Sequence, residues 1–319
     1  MVFVCPCCHK KLNLVNSKNS KCMICNNKNC SQKEEVFIFL NQIPVIVPFN
    51  QEKCLLDKKN LIKSGNLGTK KRILNKRKLT IIKSIKKFFQ GVNRKTETNF
   101  KFLANQITSK TKVLIIGGGS RGDGMDYFFK ACKRNSVLIE SIDIYESENI
   151  TVIADAHYLP YANSSFDLVI IQAVIEHVLD PDKVVSEIFR VLNNNGLVYS
   201  ETPFMQSVHE GAYDFTRYTH SGHRWLFKSF EEISSGVIQG GFTATLFILS
   251  YCLAGFFRNK YIGIFLRIVF SKVAKFLDCL IPNKYNFDIA CGYYFIGKKI
   301  SKPKNKKSKW IAKYYLGAQ

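Results

Sequence analysis

The segment KVLIIGGGSRGDGM, residues 112–125, constrains this chain more than any other. A short apolar run halted by glycines reads as a buried strand entering a tight turn, and MDYFFKACKR then follows as a helix. Gly117, Gly119 and Gly122 stand in a G-x-G-x-x-G pattern between the two. Without Cβ atoms, such a loop can press against a ligand and aim N–H groups at it from a helix N-terminus. Alone, the pattern suits NAD, FAD or S-adenosylmethionine, or no ligand beyond a tight turn.

The chain continues in the same alternation as far as about residue 300. SVLIESIDI, NITVIADA, SFDLVIIQAV and GLVYSETPF read as further strands. Asp180 before Pro181 is an N-cap followed by proline at the first helical position. Val184, Val185, Ile188, Phe189 and Leu192 follow at helical spacing, and Gly196 is expected to end that helix. Strands alternating with helices mean βαβ units with right-handed crossovers, hence an α/β fold around a mostly parallel sheet. CGYYFIGKK, residues 291–299, reads as the last strand, and its partner is expected near the uncharged run 242–257.

Asp143 closes the second strand, 26 residues beyond Gly117, where an acid accepts hydrogen bonds from ribose hydroxyls. The third strand ends in Asp155-Ala156, followed by HYLPYANSSFDLVI and QAVIEHVLDP. Here the sequence resembles the class I S-adenosylmethionine-dependent methyltransferases, specifically the methyltransferase type 11 domain. That family reads G-D-A-x-x-L-P-F-x-x-x-S-F-D-x-V, then E-H-V-x-D-P. The match rests on Asp155, Ala156, Leu159, Pro160, Ser165, Phe166 and Asp167, and then on the run from Glu176 to Pro181. It covers about residues 111–230. The resemblance implies a Rossmann-like, doubly wound, seven-stranded sheet. It also implies that Gly117, Gly119 and Gly122 face the methionine part of the cofactor. Asp143 would bind ribose, with Ile144 against the adenine. Asp155 and Ala156 would take the adenine edge, and Gln172 would end the strand where methyl group and acceptor meet. Two positions depart from the family: Ile115 stands where most members carry an acid, and Arg121 where a third glycine is common.

After the fifth strand, ETPFMQSVHEGAYDFTRYTHSGHRWLF gathers His209, Glu210, Asp214, Arg217, His220 and His223. Similar segments cover the acceptor pocket in type 11 methyltransferases. A hydroxyl acceptor needs a base, and a histidine with a pKa near neutrality suits that. His177 and His209 are the candidates; the alternative is a helix-capping His177 and a loop-ordering His209.

Six of eleven cysteines lie in the first 30 residues. The start MVFVCPCCHKKL has neither a charged leader nor a long apolar core, so no secretory signal is expected and a reducing, cytoplasmic setting follows. Cys5 with Cys8, and Cys22 with Cys25, form two C-x2-C knuckles, the spacing of a tetrahedral zinc site. Cys7, His9 and Cys30 could replace one ligand. FLNQIPVIVP resembles the close of small zinc ribbons of the methyltransferase activator family, with Asn41-Gln42 in place of Asp-Gly. This implies a zinc ribbon over residues 1–50, folding on its metal.

Charge divides the remainder. Residues 1–112 carry 24 basic and 5 acidic side chains, residues 113–300 carry 17 and 19, and the last 19 carry six basic and none acidic. Lysine is abundant throughout, which weakens this as a sign of function. The expected organisation is a ribbon at 1–50, a basic helical linker at 51–110, the methyltransferase domain at 111–300 and a basic tail at 301–319. KKRILNKRKLTIIKSIKKFF reads as a basic helix. Residues 242–257 fall short of a membrane span. YIGIFLRIVFSKVAKFLDCLI, residues 261–281, is an apolar helix with three cations that either lies on a membrane surface or caps the sheet. The expected function is methyl transfer, at oxygen, to a small-molecule, lipid or surface-saccharide acceptor. An RNA methyltransferase and a non-catalytic cofactor-binding scaffold are the alternatives. RNA is disfavoured because the basic stretch lacks interleaved aromatics.

Overall fold

The computed structural model describes residues 2–17, 20–33, 35–54, 56, 58, 93–301 and 308–319. The expected basic helix within 59–92 lies outside them. Strands β1 (Asn13–Ser17), β2 (Ser20–Ile24), β3 (Val36–Leu40) and β4 (Ile43–Ile46) form an antiparallel N-terminal unit. Then come helix α1 (Arg94–Ala104), β5 (Lys112–Ile116), α2 (Asp126–Arg134), β6 (Leu138–Asp143), β7 (Val152–Ala154) and β8 (Phe166–Gln172). Helix α3 (Pro181–Val191), β9 (Leu192–Pro203), α4 (His220–Leu226) and β10 (Glu231–Gln239) follow. Helices α5 (Gly241–Phe256), α6 (Lys260–Asp278) and α7 (Asn283–Ile289), strand β11 (Gly292–Lys298) and α8 (Ser308–Lys313) complete the described chain.

All eleven strands belong to one sheet, in the order β1-β2-β3-β4-β7-β6-β5-β8-β9-β11-β10. The sheet is therefore larger than the seven strands expected. Seven come from residues 112–298, and the N-terminal four join them because β4 pairs in parallel with β7, Val45 opposite Ile153 and Ile46 opposite Ala154. The centre is parallel from β4 through β9, while β11 and β10 run antiparallel to their neighbours.

Alternation along the central strands divides the core. Val113 and Ile115 face α1 and α2, packing with Phe100 and Phe128. Leu114 and Ile116 face the other side, with Val184, Ile188, Phe227 and Phe295. Within the stretch read as a linker, α1 is thus a core helix: Asn93 caps it by accepting from the Lys95 and Thr96 amides, and Phe100 and Leu103 are fully buried.

Two local expectations are corrected. Helix α3 begins as read, with Asp180 accepting from the Lys183 amide. It ends at Val191 rather than at Gly196, because Leu192 already pairs with Phe166 and starts β9. The partner of β11 is β10, not residues 242–257. EEISSGVIQ hides its strand character because it is a half-exposed edge. The uncharged run forms α5 instead, burying Gly241, Thr243, Ala244 and Ser250. Among the described residues, no helix is long and apolar enough to cross a membrane.

Asp278 at the end of α6 holds the start of α5. Its carboxylate accepts from the amides of Gly240 (3.1 Å), Phe242 (2.8 Å) and Thr243 (3.2 Å) and from the Thr243 hydroxyl. Charge-assisted hydrogen bonds contribute about 1.5–3 kcal/mol, so Asp278→Ala should lower unfolding stability by about 2 kcal/mol in urea titrations, whereas Asp182→Ala, at an exposed position, should change it by less than about 0.5 kcal/mol.

Candidate functional site

The carboxyl ends of β5, β6, β7, β8 and β9 carry the residues singled out above. At the end of β5, Gly117 takes the left-handed conformation (φ 77°), and a Cβ there would overlap Val174. A Cβ at Gly122 would overlap the Gln172 amide. The Gly119 amide donates to Asp143 Oδ2 at 2.8 Å, and the Ile144 amide to Asp143 Oδ1 at 2.7 Å. The loop and Asp143 are therefore one unit. Ile144 packs against the apolar cluster of β4 and β7.

Asp155 and Ala156 follow β7 and are buried. Asp155 Oδ1 accepts from the His157 amide (2.8 Å) and lies 2.6 Å from His157 Nδ1. His157 Nε2 accepts from the Asp180 amide at 3.1 Å, so the ring proton sits on Nδ1 and points at Asp155. Asp180 in turn pairs with Lys53. Asp155 is thus fixed through a histidine to the start of α3 and to the N-terminal segment.

Gln172 ends β8. Its Nε2 donates to Glu201 Oε2 at 2.6 Å and to the Asp123 carbonyl at 3.3 Å, while its Oε1 is buried with no hydrogen-bond partner among the described residues. Glu201, buried on β9, also accepts from the Thr96 hydroxyl at 2.7 Å and from the Tyr199 hydroxyl. Burial raises its pKa, against the hydrogen bonds from Tyr199, Thr96 and Gln172. The residues fit the implied cofactor: a loop with Cβ-free positions, a carboxylate at its edge and an orphaned amide oxygen at the end of β8. A separate cavity of about 250 Å³ opens beside the loop, lined by Ile115, Gly118, Arg121, Met125, Phe129 and Asn149 among others. None of the expected cofactor contacts lines it.

After β8, Ala173 adopts a positive φ of 54°, and a short 3-10 turn, Ile175–His177, follows. The segment after β9 folds onto it, with the Phe215 amide donating to the Glu176 carbonyl at 2.8 Å. This brings the two candidate histidines together, Nε2 to Nε2 at 3.1 Å. His177 Nδ1 lies 2.7 Å from the Tyr213 carbonyl, which can only accept, so Nδ1 carries the proton and Nε2 presents a lone pair. His209 Nδ1 is 3.5 Å from Asp214 Oδ2. Burial lowers the His177 pKa, partly offset by the Tyr213 carbonyl. Burial also pushes Asp214 upward, but Arg217 and the His209 amide outweigh it and bring the carboxyl to about 2.

Beneath the pair lies Glu176, fully buried, with neither carboxyl oxygen hydrogen-bonded among the described residues. Its Oε1 is 3.8 Å from His177 Nε2 and 3.9 Å from His209 Nε2, so the three donors could share a proton or hold a cation. Burial pushes its pKa up to about 7. The other two histidines of the segment do not join. His220 bonds Ser235 and His223 bonds Ser200 within the core, where burial holds their pKa values near 4 and 3. The sequence reading assigned no role to Glu176 or Glu201. Glu176 sat inside the E-H-V-x-D-P match, and Glu201 was the lone acid at the end of an apolar strand; those were the available signals.

At the N-terminus, the sulfurs of Cys5, Cys8, Cys25 and Cys30 all lie within 4.8 Å of one another. Cys5 to Cys30 is 3.6 Å and Cys8 to Cys25 is 3.5 Å, close to the ~3.8 Å edge of a tetrahedron of sulfurs about zinc. The donor set fits zinc. Cys22, expected as the fourth ligand, lies outside this cluster, on β2 with its thiol toward the Val15 carbonyl, and the fourth sulfur of the cluster is that of Cys30. Cys7 and His9 are outside the foursome. Burial pushes Cys25 up to about 12 and raises Cys30, whereas at Cys8 burial is outweighed by hydrogen bonds from Asn27, the Lys10 backbone and Cys25, which bring it down to about 6; a bound cation would favour the thiolate at all four.

Residues 122–200 match the family model described as a methyltransferase domain, type 11, which supports S-adenosylmethionine-dependent methyltransferase activity. No curated protein sequence matches the chain. Among solved structures, the chain is similar to the [4+2]-cyclase SpnF, at 13% identity over 65% of this chain and 81% of that one, TM-score 0.40. It is similar to phosphoethanolamine N-methyltransferase 2 of Haemonchus contortus, at 17% identity over 68% and 56%, TM-score 0.43. A third likeness is to a methyltransferase of Methanosarcina mazei, at 16% identity over 63% and 98%, TM-score 0.37.

Two outcomes are expected. Cys30→Ser should abolish binding of one zinc per chain, while Cys22→Ser keeps it, by elemental analysis of protein loaded with zinc. Glu176 holds its proton more tightly folded than unfolded, so its contribution is complete below about pH 4.5 and is lost as pH rises through about 7. The stability difference between wild type and Glu176→Gln, measured by unfolding in chelator, should therefore shift by about 3 kcal/mol against the wild type between pH 4 and pH 8, which separates this group from the opposite slope of the buried, neutral His220 and His223.

Proposed function

We propose that the chain methylates a hydroxyl oxygen of a small molecule, the acceptor being a metabolite, lipid headgroup or saccharide. The observation that carries this reading is the pairing of His177 with His209 over the buried Glu176, next to the end of β8. Gly117, Gly119 and Gly122 would hold the methionine part of the cofactor, Asp143 the ribose, and Ile144, Asp155 and Ala156 the adenine. S-adenosylmethionine supplies a methyl group already activated by its positive sulfur. The chain's task is then alignment and removal of one proton. Gln172, braced by Glu201, would orient the groups at the meeting point.

The proton would leave the acceptor hydroxyl for the imidazole pair. The Tyr213 carbonyl keeps the Nε2 lone pair of His177 directed at His209. His209 Nε2 therefore donates to that lone pair in the resting state, and Asp214, anchored by Arg217 and 3.5 Å from His209 Nδ1, would balance the charge of the imidazolium when Nδ1 takes up the acceptor's proton. His209 is the more exposed of the two and so the one an acceptor reaches first. The thiol cluster would hold a structural zinc in a reducing, cytoplasmic setting, and it contributes no step. The domain division at 1–50, 51–110 and 111–300 is kept as a description of roles rather than of separate cores.

The test is transfer of labelled methyl to a panel of hydroxylated small molecules and to RNA. Label on RNA alone would overturn the reading. Asp143→Ala should weaken cofactor binding at least about tenfold, since each charge-assisted hydrogen bond contributes about 1.5–3 kcal/mol; calorimetry reads this directly. His209→Ala should lower turnover about 10²–10⁴-fold with cofactor affinity unchanged.

A further inference from the structure

Helices α5 and α6 form an antiparallel hairpin whose packing is inverted relative to a water-soluble protein. The buried positions of α6 are Gly263 and Ala274, and those of α5 are Gly241, Thr243, Ala244 and Ser250. Gly263 lies so close to α5 that a Cβ would come 2.7 Å from the Ser250 carbonyl and 3.2 Å from Ala254 Cβ. Small residues thus make the helix–helix seam, as in helices that associate within lipid, where backbones approach closely. Many of the large apolar side chains point away from it, among them Ile248, Leu249 and Tyr251 of α5. On α6, Tyr261, Phe265, Val269, Val273 and Phe276 follow one another at helical spacing down a single exposed face. Leaving such side chains in water forfeits the free energy that burial normally returns.

The tip carries the second half of the observation. Phe256 is 80% exposed, Phe257 56% and Tyr261 67%, and between them stand the exposed Arg258 and Lys260. Residues 241–289 hold six basic side chains and two acidic ones. One acid is Asp278, already committed to the start of α5. Aromatic rings flanked by cations at a helix end are the side chains that settle at the boundary between headgroups and acyl chains. A second copy of the chain would bring these cations against each other, whereas anionic headgroups complement them.

We propose that the α5–α6 hairpin docks the protein on an anionic lipid surface, inserting Phe256, Phe257 and Tyr261 below the headgroups while Arg258 and Lys260 pair with phosphates. At 1.5 Å per residue α5 is about 24 Å long, too short to span a bilayer but ample for a shallow anchor. This does not depend on the methyl-transfer reading. It would place the enzyme on a membrane without deciding what it methylates.

The test is flotation of the full chain with vesicles of phosphatidylcholine alone and of phosphatidylcholine with one part in about three phosphatidylglycerol, at low and high salt. Binding should require the anionic lipid and weaken with salt. The double variant F256D/F257D should partition about a hundredfold less, the loss expected when two phenyl rings stay in water. The pair R258E/K260E should lose the preference for anionic vesicles. Unchanged melting curves establish that both variants fold. The proposal is overturned if the wild type does not float with either vesicle. It is also overturned if F256D/F257D binds as well as the wild type, which would assign binding to the other basic segments. It fails equally if the wild type dimerises in solution through Phe256 and Phe257 and ignores lipid.

Discussion

The join between β4 and β7 organises the molecule. In the sheet formed by residues 112–298 alone, β7 would be an outer strand of three residues, all fully buried. An edge of that kind exposes unpaired N–H and C=O groups and invites wrong partners. Here β4 covers it in parallel register, so the N-terminal unit continues the sheet instead of hanging from it. The contact is reinforced on the other side of the unit. The Val4 amide donates to the Pro160 carbonyl at 3.0 Å, and the Phe3 ring tilts against Tyr161, which itself meets Phe166 edge-on. Cys5, Cys25 and Cys30 therefore share one apolar cluster with Leu114 and Ile171 at the centre of the sheet.

That continuity ties the thiol cluster to the cofactor end through a chain of polar contacts. The loop after β7 is clamped from α3: Glu187 accepts from the Leu159 amide, and Arg190 donates to the Leu159 and Tyr161 carbonyls. The same loop carries Asp155, whose histidine partner is held by the Asp180 amide. The Glu187–Arg190 ion pair, largely buried, holds position more than it adds net stability. Its effect is to set the height of the loop over the sheet, and with it where Asp155 and Ala156 stand relative to Asp143.

The histidines show how environment divides one residue type between roles. His220 and His223 are enclosed by rings, Phe287 and Tyr293 around the first, Phe227 and Phe295 around the second, and burial keeps both neutral. His177 and His209 lie at the sheet's carboxyl end, beside carboxylates and within reach of solvent. Of the two pairs, only the second is open to solvent.

Much of this was legible because its causes are local. The strands β5, β6, β7, β8 and β9 follow from runs of apolar residues, the start of α3 from Asp180-Pro181, and the glycine loop from the absence of Cβ atoms where Val174 and Gln172 press in. The turn at Asn41-Gln42, both residues at positive φ, joins β3 and β4 where the ribbon-like ending was read. Tertiary structure decided the rest, because it concerned which distant segments meet. Two knuckles of equal spacing do not say that Cys30, beyond both, displaces Cys22; that depends on how β2 and β3 turn Cys22 outward. The order of the sheet, not hydrophobicity, makes the modest EEISSGVIQ a strand and the apolar run after it a helix. Glu176 and Glu201 acquire their meaning only when residues 33 and 105 positions away, His209 and Thr96, fold against them. Local chemistry writes elements into a sequence; the convergence of side chains is a property of topology.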